Sequence, residues 1–296
     1  MLKSVALAML LCLPAHAAPV KLLTANIGNS DIICIGYDWK LCLKSVEKKV
    51  TASIRAIDAD ILFLQEVVPA EHCAKKKETK PGFVCHDFEN LPGPEKEMSR
   101  RVLGPDYTIA VTKGAFEAIA VKKGVGHIKG CQDGSLCIVP GLPFPANCDQ
   151  GFSITAVDVE IYGKQIRLIN GHPDSISKRC RAQEVEDAFK AVVPGQTMMA
   201  GDWNLDPYRG KDESVKAWKQ NLARKNFHYL SGPFGNSSGY YTDFLPLIDI
   251  PFKALDHVVS DFAKGSCQTL GVSPGTKRLD GRFDLDHRAI LCKLEF

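Results

Sequence analysis

The sequence predicts an α/β (α+β) fold of packed β-sheets with helices on the outside. Short apolar runs with strand character recur along the whole chain, helical spacing is confined to a few segments, and strand–helix alternation gives way to strands. A hydrophobic fraction of 45% is ordinary and allows a substantial core. No repeat, low-complexity tract or linker divides the chain, so residues 18–296 read as a single domain.

Residues 20–24 read as the first strand, followed by a cysteine-bearing loop. Over 44–57 the apolar Val46, Val50, Ile54 and Ile57 fall on one helical face, and 61–64 is a continuous apolar run suited to a strand buried on both sides. Residues 107–111 and 116–121 form a candidate strand pair. So do 154–161 and 165–170, joined by a turn at Tyr162-Gly163-Lys164. Helical spacing returns at Val185, Phe189 and Val192, ahead of a strand at 197–200. A second amphipathic helix is expected over 215–222, and strands around 254–259, 268–272 and 289–294 close the chain. Residues 69–106 and 123–151 read as long, irregular, Pro/Gly/Cys-rich loops that need staples.

The first 17 residues carry a charged start, the apolar run 5–13 and Ala15-His16-Ala17, the small–any–small pattern of a cleaved signal peptide. The apolar run is far shorter than the ~20 residues that span a bilayer. A secreted protein, extracellular or periplasmic, is therefore expected. Of the 11 cysteines, Cys12 leaves with the signal and an even number remains, which suggests a disulfide framework. A sequential scheme joins Cys34 with Cys42, Cys73 with Cys85, Cys131 with Cys137, Cys148 with Cys180 and Cys267 with Cys292. Net charge is only +3, with local basic clusters at Lys75-Lys76-Lys77, Lys122-Lys123 and Lys178-Arg179-Cys180-Arg181. Only their gathering on one face would imply a polyanionic partner.

Polar residues recur directly after the apolar runs: Asn26, Glu66, His172, Asp202 with Asn204, Asp256, and Asp286-His287 before the last strand. Strand ends are where sheet scaffolds present functional groups. A carboxylate ending a buried strand needs a partner or a metal, because an unpaired buried charge is too costly. Acids gathered with Asn and His make a hard-oxygen site for Mg²⁺ plausible. Each residue alone has a plainer reading, as an Asx turn, a cap or a salt-bridged terminus. Their recurrence in one order is harder to dismiss.

Six segments in that order resemble the endonuclease/exonuclease/phosphatase superfamily, whose members include deoxyribonuclease I-like enzymes: Thr24-Ala25-Asn26-Ile27, Leu64-Gln65-Glu66-Val67, Asn170-Gly171-His172, Gly201-Asp202-Trp203-Asn204, Leu255-Asp256-His257-Val258 and Asp286-His287-Arg288-Ala289-Ile290. The resemblance implies a four-layer sandwich of two mixed β-sheets packed face to face. It implies Glu66 as main ligand of a divalent metal, Mg²⁺ with Mn²⁺ or Ca²⁺ as alternatives, with Asn26 and Asp286 assisting. His287, paired with Asp256, would orient or deprotonate water or contact the phosphate. Asp202 would position the nucleophile, and Asn204 and His172 would hydrogen-bond phosphate oxygens. The chain departs from the family at Leu285, where Ser is common, at His257, where an aromatic is common, and at Pro173-Asp174. Lys122 and Lys123 stand in the region of a phosphate-contacting Arg.

The expected function is a secreted metal-dependent phosphodiesterase acting on DNA, with RNA as a second nucleic-acid candidate and a monomer as the expected state. The alternative is a sphingomyelinase-like lipid phosphodiesterase, for which the apolar, aromatic stretch 240–248 would contact a membrane peripherally. A remoter alternative is an inactive binding module on the same scaffold.

Overall fold

A computed structural model describes residues 19–28, 32–37, 40–76, 79–143, 148, 154–231, 253–281 and 284–296. The candidate signal peptide and the stretch 240–248 lie outside the described residues.

The chain enters through β1 (Val20–Asn26), a 3₁₀ turn, α1 (Lys44–Ile57) and β2 (Ile61–Gln65). After α2 (Ala70–Ala74) and α3 (Met98–Leu103) come β3 (Tyr107–Thr112), β4 (Ala118–Lys122), β5 (Gly126–Ile128) and β6 (Leu136–Val139). The second half holds β7 (Thr155–Ile161), β8 (Lys164–Gly171), α4 (Lys178–Lys190), β9 (Thr197–Asp202) and α5 (Glu213–Arg224). It closes with β10 (His228–Tyr229), β11 (Asp256–Ser260), β12 (Lys264–Thr269) and β13 (Ile290–Glu295).

The strands form two mixed sheets, as expected. One has seven strands in the order β12-β13-β1-β2-β4-β3-β6, the other six in the order β10-β11-β9-β8-β7-β5. Alternation along β1 shows how they stack. Leu22 joins a core layer with Phe63, Val159, Leu168, Met198 and Val258 between the sheets, whereas Leu23 faces Val50, Ile54 and Val102 on the helix side. A third apolar layer packs Val185 and Phe189 of α4 and Trp218 of α5 against Ile169 and Met199 on the outer face of the second sheet. Burying each such side chain contributes roughly 1.5–3 kcal/mol. The helices start where the sequence supplies caps: Ser177 Oγ accepts from the Cys180 N–H, and Asp212 Oδ1 from those of Ser214 and Val215.

Two expectations need correction. The segments 69–106 and 123–151 are not irregular throughout: they hold α2, α3, β5 and β6. Elements of three to six residues are too short for a hydrophobic period to register. Asp286-His287 does not open the last strand but precedes β13, which starts at Ile290. The sequential cysteine pairing is present in full: Cys34–Cys42, Cys73–Cys85, Cys131–Cys137, Cys148–Cys180 and Cys267–Cys292. The last joins residues directly opposite each other in the β12–β13 ladder. Among the described residues no helix is long and apolar enough to cross a membrane.

Candidate active site

Parallel pairing aligns the carboxyl ends of β1 with β2 and of β8 with β9. Asn26, Glu66, His172 and Asp202 all emerge at those ends, one pair from each sheet. A buried polar bridge fixes the two sheets there. The Gln65 side-chain amide donates to Asn170 Oδ1 (2.7 Å), and Asn170 Nδ2 donates to the carbonyls of Leu64 and Ala118 (both 3.0 Å). Satisfied buried amides of this kind specify one register.

Above the bridge, Asn26 Nδ2 donates to Glu66 Oε1 (3.1 Å) and to Asp202 Oδ2 (3.0 Å). Its Oδ1 accepts from the Gly28 N–H at 2.9 Å. Glu66 takes a left-handed backbone (φ 62°), turning its side chain inward directly after β2. Glu66 Oε2 is buried and accepts no hydrogen bond among the described residues. It lies where a Cβ on Gly28 would fall within 1.9 Å of it, so only glycine fits there.

Antiparallel pairing sets Asp202 opposite Asp256. His287 Nδ1 donates to Asp256 Oδ2 at 2.9 Å, and its Nε2 faces Asp202 Oδ2 at 3.5 Å. Burial works against a charged imidazole, but Asp202 and Asp256, with Asp286, outweigh it and hold the His287 pKa well above the usual value. Burial likewise opposes ionisation of Asp202, yet His287 and His172, the Asn204 N–H and Asn26 bring its pKa below the usual range. Asp286 is half-buried beside His287 and adds to its field. Asn204 takes a left-handed backbone (φ 51°); its N–H donates to Asp202 Oδ1 (2.9 Å) and its Nδ2 to the Pro173 carbonyl (3.0 Å).

His172 sits between acids. Its Nε2 is 3.5 Å from Glu66 Oε1 and 3.8 Å from Asp202 Oδ2, and its Nδ1 is 3.4 Å from Glu117 Oε1. Burial opposes its charge, but Glu117, Glu66 and Asp202 prevail over that and over the opposing charge of Lys40, and its pKa is raised.

The structure thus brings Asn26, Glu66, His172, Asp202, Asp256 and His287 into one contact network, with Asn204 hydrogen-bonded to Asp202 and Asp286 beside His287. Sequence reasoning missed Glu117 and Lys40. Glu117 is fully buried just ahead of β4, and Lys40, also buried, lies with Nζ 3.8 Å from Glu66 Oε1. A lone acid and a lone lysine in loops give no signal by spacing. Lys122, by contrast, pairs with Asp58 at 2.6 Å, and β4 runs antiparallel to β2, so that lysine sits at the strand edge away from Glu66.

The departures from the family pattern have local roles. His257 packs its ring against Trp218 and Tyr229 while Nε2 meets the Leu205 carbonyl at 3.1 Å; burial lowers its pKa, so it serves as a neutral aromatic. Asp174 Oδ1 accepts from the N–H groups of Ile176 and Ser177 ahead of α4. The Leu285 N–H donates to Asp280 and its carbonyl accepts from Arg278, clamping the segment before Asp286.

Beneath this loop Glu184 of α4 accepts the Asp174 N–H at 2.8 Å, and its pKa is pushed up to about 8, mainly by burial. Its protonated form is therefore favoured by folding. The stability it lends is complete below the usual carboxylate pKa near 4 and drains away as pH rises through about 8. Thermal melts of the wild type should fall between pH 5 and pH 9 by more than those of Glu184→Gln. Equal falls would contradict this reading of Glu184.

No family model matches the sequence, and no curated protein matches it. Solved structures do match. D. rerio TDP2 complexed with a single-strand DNA product is 14% identical, with 95% of this chain and 100% of that chain covered and a TM-score of 0.58. Mannosyl-6-phosphatase Bt3783 of Bacteroides thetaiotaomicron VPI-5482 is 14% identical (94% and 100% covered, TM-score 0.57). An endonuclease/exonuclease/phosphatase family protein of Bacteroides thetaiotaomicron is 13% identical (94% and 95%, TM-score 0.57). The chain therefore has the endonuclease/exonuclease/phosphatase fold that its strand-end segments implied.

Proposed function

We propose that this chain is an exported, metal-dependent phosphodiesterase whose substrate is a nucleic acid, DNA foremost, acting as a single domain over residues 18–296. The carrying observation is the convergence of Glu66, with its partnerless buried Oε2, on an Asp202–His287–Asp256 constellation. The N-terminal signal pattern and the disulfide framework support export. The complex of D. rerio TDP2 with a single-strand DNA product shows this fold accommodating a nucleic acid in that protein.

The residues fit a divalent cation. Asp202, Asp256 and His287 also form a group with ligand atoms within 4.8 Å of one another, but His287 and Asp256 already satisfy each other there. Glu66 Oε2, buried without a hydrogen bond in the space that Gly28 leaves, is the better anchor. Glu66 would hold the ion, with Asn26 and Asp286 assisting. Mg²⁺ suits such oxygen donors, and Mn²⁺ or Ca²⁺ could take its place. When bound, the ion supplies Lewis-acid neutralisation of phosphate charge.

The remaining chemistry belongs to side chains of this chain. Asp202, kept ionised, accepts a hydrogen bond or a proton from the attacking water. His287, oriented through Nδ1 by Asp256 and kept as an imidazolium, holds a proton at Nε2 for a phosphate or leaving oxygen. His172, supported by Glu117, places a second cationic donor beside the phosphate, and Asn204 adds an amide. Fixed donors aimed at developing negative charge are the largest contribution available to such a reaction.

A plasmid-nicking assay on the oxidised protein tests this. Supercoiled DNA should be nicked with Mg²⁺ and left intact with EDTA or by His287→Ala. Intact plasmid from folded wild-type protein would reject the nucleic-acid substrate. Sphingomyelin and sugar phosphates would then be the next esters to try.

A further inference from the structure

We propose that Lys40 is a substrate-binding residue, its ammonium contacting a phosphate oxygen beside His172. This rests on the phosphoesterase reading above.

Lys40 is 4% exposed, a rare state for lysine without anionic company. Its nearest described carboxylate is Glu66 Oε1 at 3.8 Å, too long for a hydrogen bond. The ammonium is thus stationed beside that carboxylate rather than bonded to it. It also lies over the Phe116 ring, 5.0 Å from the centroid, a contact that stabilises a cation without using up its N–H donors.

The backbone around Lys40 is fixed on both sides. The Cys34–Cys42 disulfide closes the segment that contains it, the Lys40 N–H donates to the Tyr37 carbonyl (3.0 Å), and the Cys42 carbonyl accepts from Val84 (2.8 Å). Leu41 and Cys42 are fully buried. A surface lysine needs no such anchorage; a preorganised binding group does.

The two oxygens of Glu66 have different surroundings. Oε2 faces the niche at Gly28 and takes no hydrogen bond, whereas Oε1 has Asn26 Nδ2 at 3.1 Å, His172 Nε2 at 3.5 Å and Lys40 Nζ at 3.8 Å. One side of the carboxylate therefore suits a metal ion, and the other is a wall with two basic side chains. A phosphate ester brings negative charge on more than one non-bridging oxygen. Lys40 and His172 form the wall that receives the oxygen turned away from the metal.

The plainer role for Lys40, neutralising Glu66, makes opposite predictions. Lys40→Met and Lys40→Gln would be compared with the wild type by thermal melting, by Mn²⁺ titration without phosphate, and by inorganic phosphate binding with Mn²⁺ present. If Lys40 binds phosphate, both variants lose about 10- to 100-fold in phosphate affinity, the cost of a charged hydrogen bond. KM for the ester rises, and Mn²⁺ affinity does not fall. Lys40→Arg should recover part of the phosphate affinity. Unchanged phosphate affinity together with tighter Mn²⁺ binding would overturn the proposal and leave Lys40 as a counter-ion. Failure of all three variants to fold would overturn it in favour of a structural role. Wild-type protein that binds no phosphate and cleaves no ester overturns the phosphoesterase reading itself, a result distinct from the other two.

Discussion

Glu66→Gln should leave a folded protein that no longer holds its metal. The substitution preserves shape while removing the one charge whose Oε2 has no hydrogen bond among the described residues. Partners one step removed from a metal ligand already cost 10–100-fold in affinity when lost, so deleting the proposed main ligand should cost at least about 100-fold. Activity should vanish with it, while the melting temperature holds or rises because a buried charge has gone. Mn²⁺ titration followed by electron paramagnetic resonance checks this directly. Wild-type Mn²⁺ affinity in Glu66→Gln would move the ion to the Asp202, Asp256 and His287 group.

His287→Ala should lower kcat by about 10²–10⁴-fold, the range for removing a positioned acid or base. KM should change little, because the proposed proton transfer matters in the transition state rather than in substrate binding. Stability should fall too, since Asp202 and Asp256 would lose the imidazolium between them. Asp256→Asn separates the chemistry from that damage. It removes one of the carboxylates that raise the His287 pKa, so the alkaline limb of the activity profile should shift to lower pH. An unshifted limb would show that His287 is not the titrating acid. The double variant should be little worse than His287→Ala, because Asp256 acts through the imidazole.

Much of this was legible in the sequence because buried strands and long amphipathic helices write their period into it. The helix over 44–57 matches α1 to the residue, and the run at 61–64 is β2 less its last residue. The strand expected at 268–272 is instead 264–269: β12 is an exposed edge strand rich in small and polar residues, so its apolar pattern is faint. At the site, Glu66, Asp202 and Asp256 announce themselves as acids at the ends of apolar runs. Lys40 and Glu117 do not, because what matters about them is burial against residues distant in sequence. Asn170 reads as the end of a strand, and only the stacking of the two sheets makes it a bridge. The cysteine scheme was legible because most partners lie near one another along the chain.

The left-handed backbone at Glu66 has a consequence for laboratory evolution. Glycine would relieve the conformational strain at this position, of order 1–3 kcal/mol, and would remove a buried carboxylate as well. A library screened only for heat resistance should therefore enrich Glu66→Gly, discarding turnover as it gains robustness. Screening the same library for hydrolysis should restore glutamate there. The opposing enrichments would measure how much durability this protein gives up to keep its chemistry.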